Sequence, residues 1–328
     1  MRAAYITRVG PAREVLEVGD VPDAVAGPGQ VRVLITASGI NPADVKRRAG
    51  MRGELPFPLV VPHDDGAGVI DAVGEGVPTS RIGERVWVYD AQLRGAFGTA
   101  AEAVAVPVAQ AVPLPAGTGF DVGACLGVPA VTAHRCVHAD GSVAGTTVLV
   151  QGATGAVGLA AAQLARRAGA RVLVTAGSRD KLAALEARGF SEGVLYAETD
   201  VGAWARELTG GAGVDRVIDA ELGVNLAGDA AAVRAGGVIC AFGSALAPEP
   251  ILPVYPLLGK GVVLRFVLVY LLSAEQRAAA NREVAAALGD GSLAPLIGAR
   301  FALEDIVAAH EAVEAGSFGQ VVVEVQRA

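Results

Sequence analysis

The chain has 328 residues, 52% hydrophobic and 19% charged, with 27 Lys plus Arg against 34 Asp plus Glu. At roughly 150 residues per domain this length suggests two domains, and so apolar a chain buries a large core rather than staying disordered. The formal net charge of −7 argues against general binding to a nucleic-acid backbone, while leaving room for one local basic pocket for a small anion. The 43 glycines carry no G-x-y period, which excludes a collagen-like structure.

Three scattered cysteines, Cys125, Cys136 and Cys240, form no C-x-x-C pair, so neither a disulfide framework nor a zinc ribbon is expected. The opening MRAAYITRVG lacks the apolar stretch of a signal peptide. The most apolar segment, Tyr255 to Leu272, is interrupted by Lys260, Arg265, Gly259 and Gly261. It is expected to be a buried core segment rather than a membrane span, which needs roughly 20 uninterrupted apolar residues. A reducing cytoplasm is the expected compartment.

In chain order, residues 1 to about 115 read as short alternating runs (VRVLITAS, GAGVIDAVG, RVWVY, AVAVP) punctuated by Gly and Pro, a β-dominated texture with partly antiparallel strands. From about Cys125 to Phe266, apolar strands alternate with Ala- and Leu-rich helical stretches, the pattern of an α/β fold with a doubly wound parallel sheet. Two further helices follow, AEQRAAANREVAAALGDG and LEDIVAAHEAVEAG, and then a strand, QVVVEV, with the texture of the first third. The expected organisation is a discontinuous β-rich domain over 1–124 and 267–328, interrupted by a dinucleotide-binding domain over 125–266.

The sharpest motif is the run Val148-Leu149-Val150-Gln151-Gly152-Ala153-Thr154-Gly155-Ala156-Val157-Gly158. It reads as a strand, a glycine turn and a small-residue helix at G-x-x-G-x-x-G spacing. Glycines there permit a tight turn and close backbone approach to a pyrophosphate, and the helix start aims free N–H groups at the anion. The next strand, RVLVTA, ends in Ala176-Gly177-Ser178-Arg179-Asp180-Lys181 rather than in the early acidic residue that holds an NAD ribose. A hydroxyl (Ser178) and two cations (Arg179, Lys181) suit a 2′-phosphate, so NADPH is the expected cofactor. Asp180 is a mild counter-signal.

The whole chain resembles the medium-chain dehydrogenase/reductase superfamily and, within it, the zinc-free quinone oxidoreductases of the ζ-crystallin type. The residues that carry the resemblance are Gly39-Ile40-Asn41-Pro42-Ala43-Asp44, Gly68 to Gly74, Gly83-Glu84-Arg85-Val86, Pro129 to Ala133, the glycine turn, Val217-Ile218-Asp219 and Phe242-Gly243-Ser244. The fold this implies is a GroES-like β-rich catalytic domain plus a Rossmann domain. Zinc-dependent members carry Cys where Asn41 stands and a Gly-His-Glu run where this chain has His63-Asp64-Asp65, so no metal is expected. A hard-ion site from Asp44, Asp64, Asp65 and His63 is disfavoured, because adjacent residues of a strand face opposite ways.

Without a Lewis acid to ionise an alcohol, reduction of an already polarised acceptor is favoured. The resemblance implies hydride transfer to a quinone or the β-carbon of an enone. Asn41 would orient the acceptor or the nicotinamide, with Asp44 supporting its loop. Thr132, in a helix-opening position, would contact the nicotinamide end. Lys46 is read either as a donor to the developing oxyanion or as a solvated lysine. Tyr196 would support the adenine-phosphate end, while Phe242, Gly243, Ser244 and Phe266 would lie on the nicotinamide side. The neighbours of Phe266 would form an edge strand able to pair across a two-fold axis in a homodimer. Gln320 replaces the Lys of a Gly-Lys pair common in relatives. His134, His138 and His310 are read as structural rather than catalytic, and Cys125 and Cys136 as core. The partner expected is a small-molecule quinone or enone, with neither nucleic acid nor membrane. The alternatives are an acrylyl- or enoyl-thioester reductase of the same fold, for which Arg47, Arg48 and Arg52 leave an opening, or a non-catalytic NADPH-binding sensor.

Overall fold

A computed structural model describes residues 1–326. The chain divides into two compact units, one of Met1–Pro129 together with the segment from Pro295 onward, the other of Ala130–Ala294.

The first unit is organised around the strand Gln30–Ile40, whose alternation of apolar and polar residues buries Val31, Val33 and Ile35 completely. One edge of this strand pairs antiparallel with Asp65–Val73. Along the other edge its first half pairs with Ala103–Pro107 and its second half with Gln320–Glu324, where Val321 faces Ile40. The last strand of the chain thus completes a sheet begun near its start. The sheet extends through Arg85–Val88 to Ala111–Pro113, and through Gln320–Glu324 to the parallel strand Ile297–Ala302. Gly39 is required here, because a Cβ at that position would collide with the carbonyl oxygen of Ala124. One residue past the strand, Asn41 caps the helix Pro42–Arg48, and Pro42 at its first position supplies a φ already suited to a helix.

The second unit holds a six-stranded parallel sheet in the order Gly193–Leu195, Arg171–Ala176, Thr147–Val150, Val214–Asp219, Val233–Ala241, Val263–Phe266. Numbered within this sheet the order is 3-2-1-4-5-6, the doubly wound arrangement in which ligands bind beyond the carboxyl ends of the strands where the order reverses. The central strands, covered on both faces, are mostly apolar: Val148, Leu149, Val150, Leu173 and Val174 are fully buried. Among the described residues, no helix is long and apolar enough to cross a membrane.

Two expectations are corrected. The divisions fall after Pro129 and Ala294, not after 124 and 266. The helix Ala274–Gly289 buries Ala280, Val284 and Ala287 and packs on Val131–His138, so it belongs with the parallel sheet. Nor is the segment from Tyr255 to Leu272 a buried core element. It is cut into the helix Val254–Lys260, the edge strand Val263–Phe266 and a short turn of 3-10 helix, broken at Gly261, whose φ of 60° is left-handed. Tyr255, Leu258, Phe266 and Leu271 stand exposed.

Candidate functional site

In the second unit, the glycine turn follows the strand Thr147–Val150 and opens the helix Ala156–Arg167. Gly152 takes a φ of +65°, a conformation that favours glycine. Its N–H donates to Thr175 Oγ1 at 3.0 Å, and that hydroxyl donates to Gln151 Oε1 at 2.9 Å. Gln151 Nε2 in turn donates to Asp229 Oδ1 at 3.0 Å. Burial, and then the charge of Asp219, hold the Asp229 carboxyl well above the usual carboxylate range. This buried chain locks the turn from beneath. A Cβ on Gly158 would lie 2.5 Å from the Gly152 carbonyl oxygen and 3.0 Å from Ala153 Cα, so only glycine lets the helix start sit against the turn. Gly155 caps that helix in an extended conformation without a side-chain cap, and it is exposed, with Ala156 and Val157 partly so. The first-turn N–H groups of a helix have no partner within it, and here no side chain caps them from outside. This cradle suits a diphosphate, with Gly152, Ala153, Thr154, Gly155, Ala156, Val157 and Gly158 supplying its backbone.

The neighbouring strand Arg171–Ala176 leads into the helix Arg179–Glu186, capped by Ser178, whose Oγ accepts the Lys181 N–H at 3.3 Å. Arg179 is 81% exposed and pairs with Glu198 at 2.9 Å. Tyr196 lies over Gly177, with its Oη 2.6 Å from where a Cβ would stand. The structure therefore brings Ser178, Arg179, Lys181 and Tyr196 to one end of the sheet. At the ends of the strands Val233–Ala241 and Val263–Phe266, a cavity of about 620 Å³ is lined by Phe242, Gly243, Ser244 and Phe266, together with Arg135 and Leu271. The Ser244 hydroxyl is already engaged, accepting from Gly223 N–H at 2.9 Å and donating to Ala247 O at 2.5 Å. Thr132 is buried in the first turn of the helix Val131–His138.

In the first unit, Asn41 is 1% exposed. Its backbone N–H donates to Asp44 Oδ2 at 2.8 Å, its Nδ2 to Asp65 Oδ2 at 2.9 Å, and its Oδ1 accepts from Gln320 Nε2 at 3.3 Å. Asp65 Oδ2 also accepts the Val128 N–H at 2.8 Å. Asp64 faces the other way and binds Arg47 Nη2 at 2.8 Å. The two adjacent carboxyls diverge, as alternation at a strand end requires. Burial, and then the charge of Asp64, raise the Asp44 carboxyl to about 7, while burial pushes Asp65 up as well. Asp44, Arg47, Arg48, Arg52 and Gln92 line a cavity of about 300 Å³. Arg47 also contacts Gln92, and Arg48 is paired with Glu314 and with Gly10 O. Lys46, on the same helix, is not part of that wall.

Several of these contacts were invisible in the sequence. Gln320 braces Asn41 from the far end of the chain, and Thr175, Gln151 and Asp229 fasten the turn through long-range bonds. Only the burial-favouring apolar context of Thr175 and Asp229 hinted at them.

Residues 27–116 match the family model described as the alcohol dehydrogenase GroES-like domain, and residues 156–285 the model described as zinc-binding dehydrogenase. The quinone oxidoreductase of Homo sapiens is 32% identical over 321 residues, which are 97% of this chain and 95% of that one. Among solved structures, an NAD-dependent alcohol dehydrogenase aligns with a TM-score of 0.89 at 32% identity, covering 99% of this chain and 100% of its own. A mycobacterial protein solved in complex with NADPH aligns at 0.87 and 27%, with the same coverage. The parallel sheet with its glycine turn and the GroES-like β unit together define a nicotinamide-dependent oxidoreductase of the medium-chain dehydrogenase/reductase superfamily. Within that superfamily the chain belongs to the quinone oxidoreductase family.

Proposed function

We propose that this enzyme is an NADPH-dependent, zinc-independent reductase of quinones or α,β-unsaturated carbonyl compounds. The observation that carries the reading is the exposed, side-chain-free helix start at Gly155, seated on a turn whose backbone favours glycine at 152 and whose packing admits only glycine at 158. Those backbone groups would hold the diphosphate; Ser178, Arg179 and Lys181 would hold the 2′-phosphate, with Arg179 exchanging Glu198 for it. Tyr196 would support the adenine end, and Thr132, Phe242, Gly243, Ser244 and Phe266 the nicotinamide end.

When bound, the reduced nicotinamide supplies the hydride; a quinone then needs one further proton to become the hydroquinone. Asp44 lines the 300 Å³ cavity with a carboxyl that is half protonated near neutral pH, and is the proposed source of that proton. Asn41, fixed by Asp65 and Gln320, is proposed to hold its loop in register and to offer its second amide hydrogen to an acceptor oxygen. Zinc independence is supported by the donor set. An amide stands at 41, Asp65 is committed to Asn41 and Val128, Asp64 to Arg47, and the His63 ring to Ser38 and His310, while burial and then the charge of Asp65 push the nearby Cys125 thiol up, away from the thiolate a zinc needs.

The thioester alternative is weakened by charge pairing: Arg47 is neutralised by Asp64 and Arg48 by Glu314. A reducing cytoplasm is proposed from the three free, buried cysteines. A homodimer is proposed from the unpaired edge of Val263–Phe266, flanked by exposed Tyr255, Leu258 and Leu271. Light scattering should then give twice the chain mass, and a monomer at micromolar concentration would contradict it.

The test of function is steady-state NADPH oxidation with a panel of quinones, enones and enoyl thioesters, with and without EDTA. Turnover of a quinone or enone, unchanged by the chelator, is expected. Loss of activity with EDTA would overturn zinc independence; turnover of thioesters alone would favour the alternative; binding without turnover would favour a sensor.

A further inference from the structure

Three side chains of the second unit converge on a gap that the proposed chemistry does not use. His134 and His138 are four residues apart on the helix Val131–His138 and therefore share one face. Their ring centroids are 4.8 Å apart. Glu283, on the helix Ala274–Gly289 packed against them, places Oε2 3.8 Å from the Nε2 of each. One ligand atom from each residue lies within 4.8 Å of the others.

At 3.8 Å these groups are beyond hydrogen-bond reach of one another. Nor are they an ion pair at neutral pH. Burial, and then the neighbouring His138, bring His134 down to about 4, and burial lowers His138 too, so both rings are neutral. Two neutral imidazoles and a carboxylate pointing at a shared space are the donor set of a divalent transition metal, which requires unprotonated histidines. Tetrahedral ligands at the usual metal–nitrogen and metal–oxygen lengths stand about 3.4 Å apart. Glu283, 49% exposed, closes its two 3.8 Å separations with a small inward movement, while the two imidazole nitrogens, within 4.8 Å of each other, close theirs by a turn of the rings.

We propose that His134, His138 and Glu283 form a binding site for one zinc-class divalent ion, which staples the helix Val131–His138 to the helix Ala274–Gly289. The site is separate from the positions at which zinc-dependent relatives hold their metal, where this chain has Asn41 and His63-Asp64-Asp65. Its fourth position would be taken by water. The role is structural: the ion ties together two helices far apart in sequence.

The experiment uses the full-length, untagged chain, stripped with a chelator, dialysed, and titrated with zinc chloride by calorimetry and with cobalt chloride by visible absorption. One ion per chain is expected, binding stoichiometrically at micromolar protein, with a cobalt d–d band and a melting temperature raised by zinc. The chain has four histidines, and His63 and His310 are fully buried, so an imidazole signature reports this site. H138A and E283Q should each weaken zinc binding at least about tenfold and abolish the zinc-dependent rise in melting temperature, while leaving the initial rate of NADPH oxidation unchanged. Glu283 is half exposed, so E283Q keeps the test sound if H138A fails to fold. Absence of saturable binding in the parent, or parental affinity in E283Q, would overturn the proposal.

Discussion

Replacing Gly158 with Ala probes the phosphate cradle at its tightest point. The added methyl would stand 2.5 Å from the Gly152 carbonyl oxygen and 3.0 Å from Ala153 Cα, both backbone atoms of the turn itself. Neither can rotate away, so the start of the helix must retreat from the turn by more than half an ångström. Overpacking of this kind costs about 1–3 kcal/mol of stability. The retreat also misaligns the N–H groups at 156–158, and a hydrogen bond to a charged group contributes about 1.5–3 kcal/mol. Losing one such bond raises the NADPH dissociation constant roughly 10- to 150-fold, at 1.4 kcal/mol per factor of ten. The assay is titration of NADPH fluorescence, paired with a chemical-denaturation curve. Gly228 supplies the control, because it lies inside the helix Leu222–Ala232 and a Cβ there meets nothing within 4 Å. G228A should leave NADPH affinity unchanged and raise stability by about 0.5–1 kcal/mol, the helix-propensity difference. G158A binding NADPH as tightly as the parent, with unaltered stability, would refute the cradle.

Arg179→Ala should weaken NADPH about tenfold and leave NADH nearly untouched, since a charge-assisted contact to the 2′-phosphate is removed; equal losses would contradict that contact. Thr175→Val preserves shape but leaves the Gly152 N–H and Gln151 Oε1 without their partner, so stability should fall by about 2 kcal/mol in urea denaturation. An unchanged midpoint would show that the buried chain does not hold the turn. Asp44 is raised to about 7 in the folded protein against roughly 3.9 unfolded, so the folded state retains a proton that the unfolded state has lost. Its contribution is full below pH 4 and is lost as pH rises through 7, at about 1.4 kcal/mol per pH unit. Asp44→Asn should therefore gain stability relative to the parent as pH rises from about 4 to about 7 and hold that gain above it; parallel profiles would place the Asp44 carboxyl back in the ordinary range.

Local chemistry was legible and long-range chemistry was not. The turn at 152–158 could be read because its function resides in residue types at fixed short spacing, and the structure places it between a strand and a helix as that spacing implied. The alternation of Gln30–Ile40 likewise announced its buried face. The segment from Tyr255 to Leu272 was misread because hydropathy measures what a residue prefers, not what covers it; these side chains lie on an edge strand and its flanks. The helix Ala274–Gly289 was assigned to the wrong unit for a related reason, as nothing in its own residues names Val131–His138 as the face it packs on. His134 and His138 read as structural in the sequence, where nothing shows that the fold brings Glu283 beside them from another helix. The bracing of Asn41 by Gln320 depends on the final strand pairing with Gln30–Ile40, a register that no short motif encodes.

Everything proposed for this enzyme depends on the helix start at Gly155 receiving the diphosphate of a nicotinamide dinucleotide. A crystal structure of the full chain grown with excess NADPH tests it most directly. Diphosphate oxygens are expected to accept from the backbone N–H groups of Ala156, Val157 and Gly158, with the 2′-phosphate beside Ser178 and Arg179. A dinucleotide bound elsewhere, with those amides facing only solvent, would contradict it.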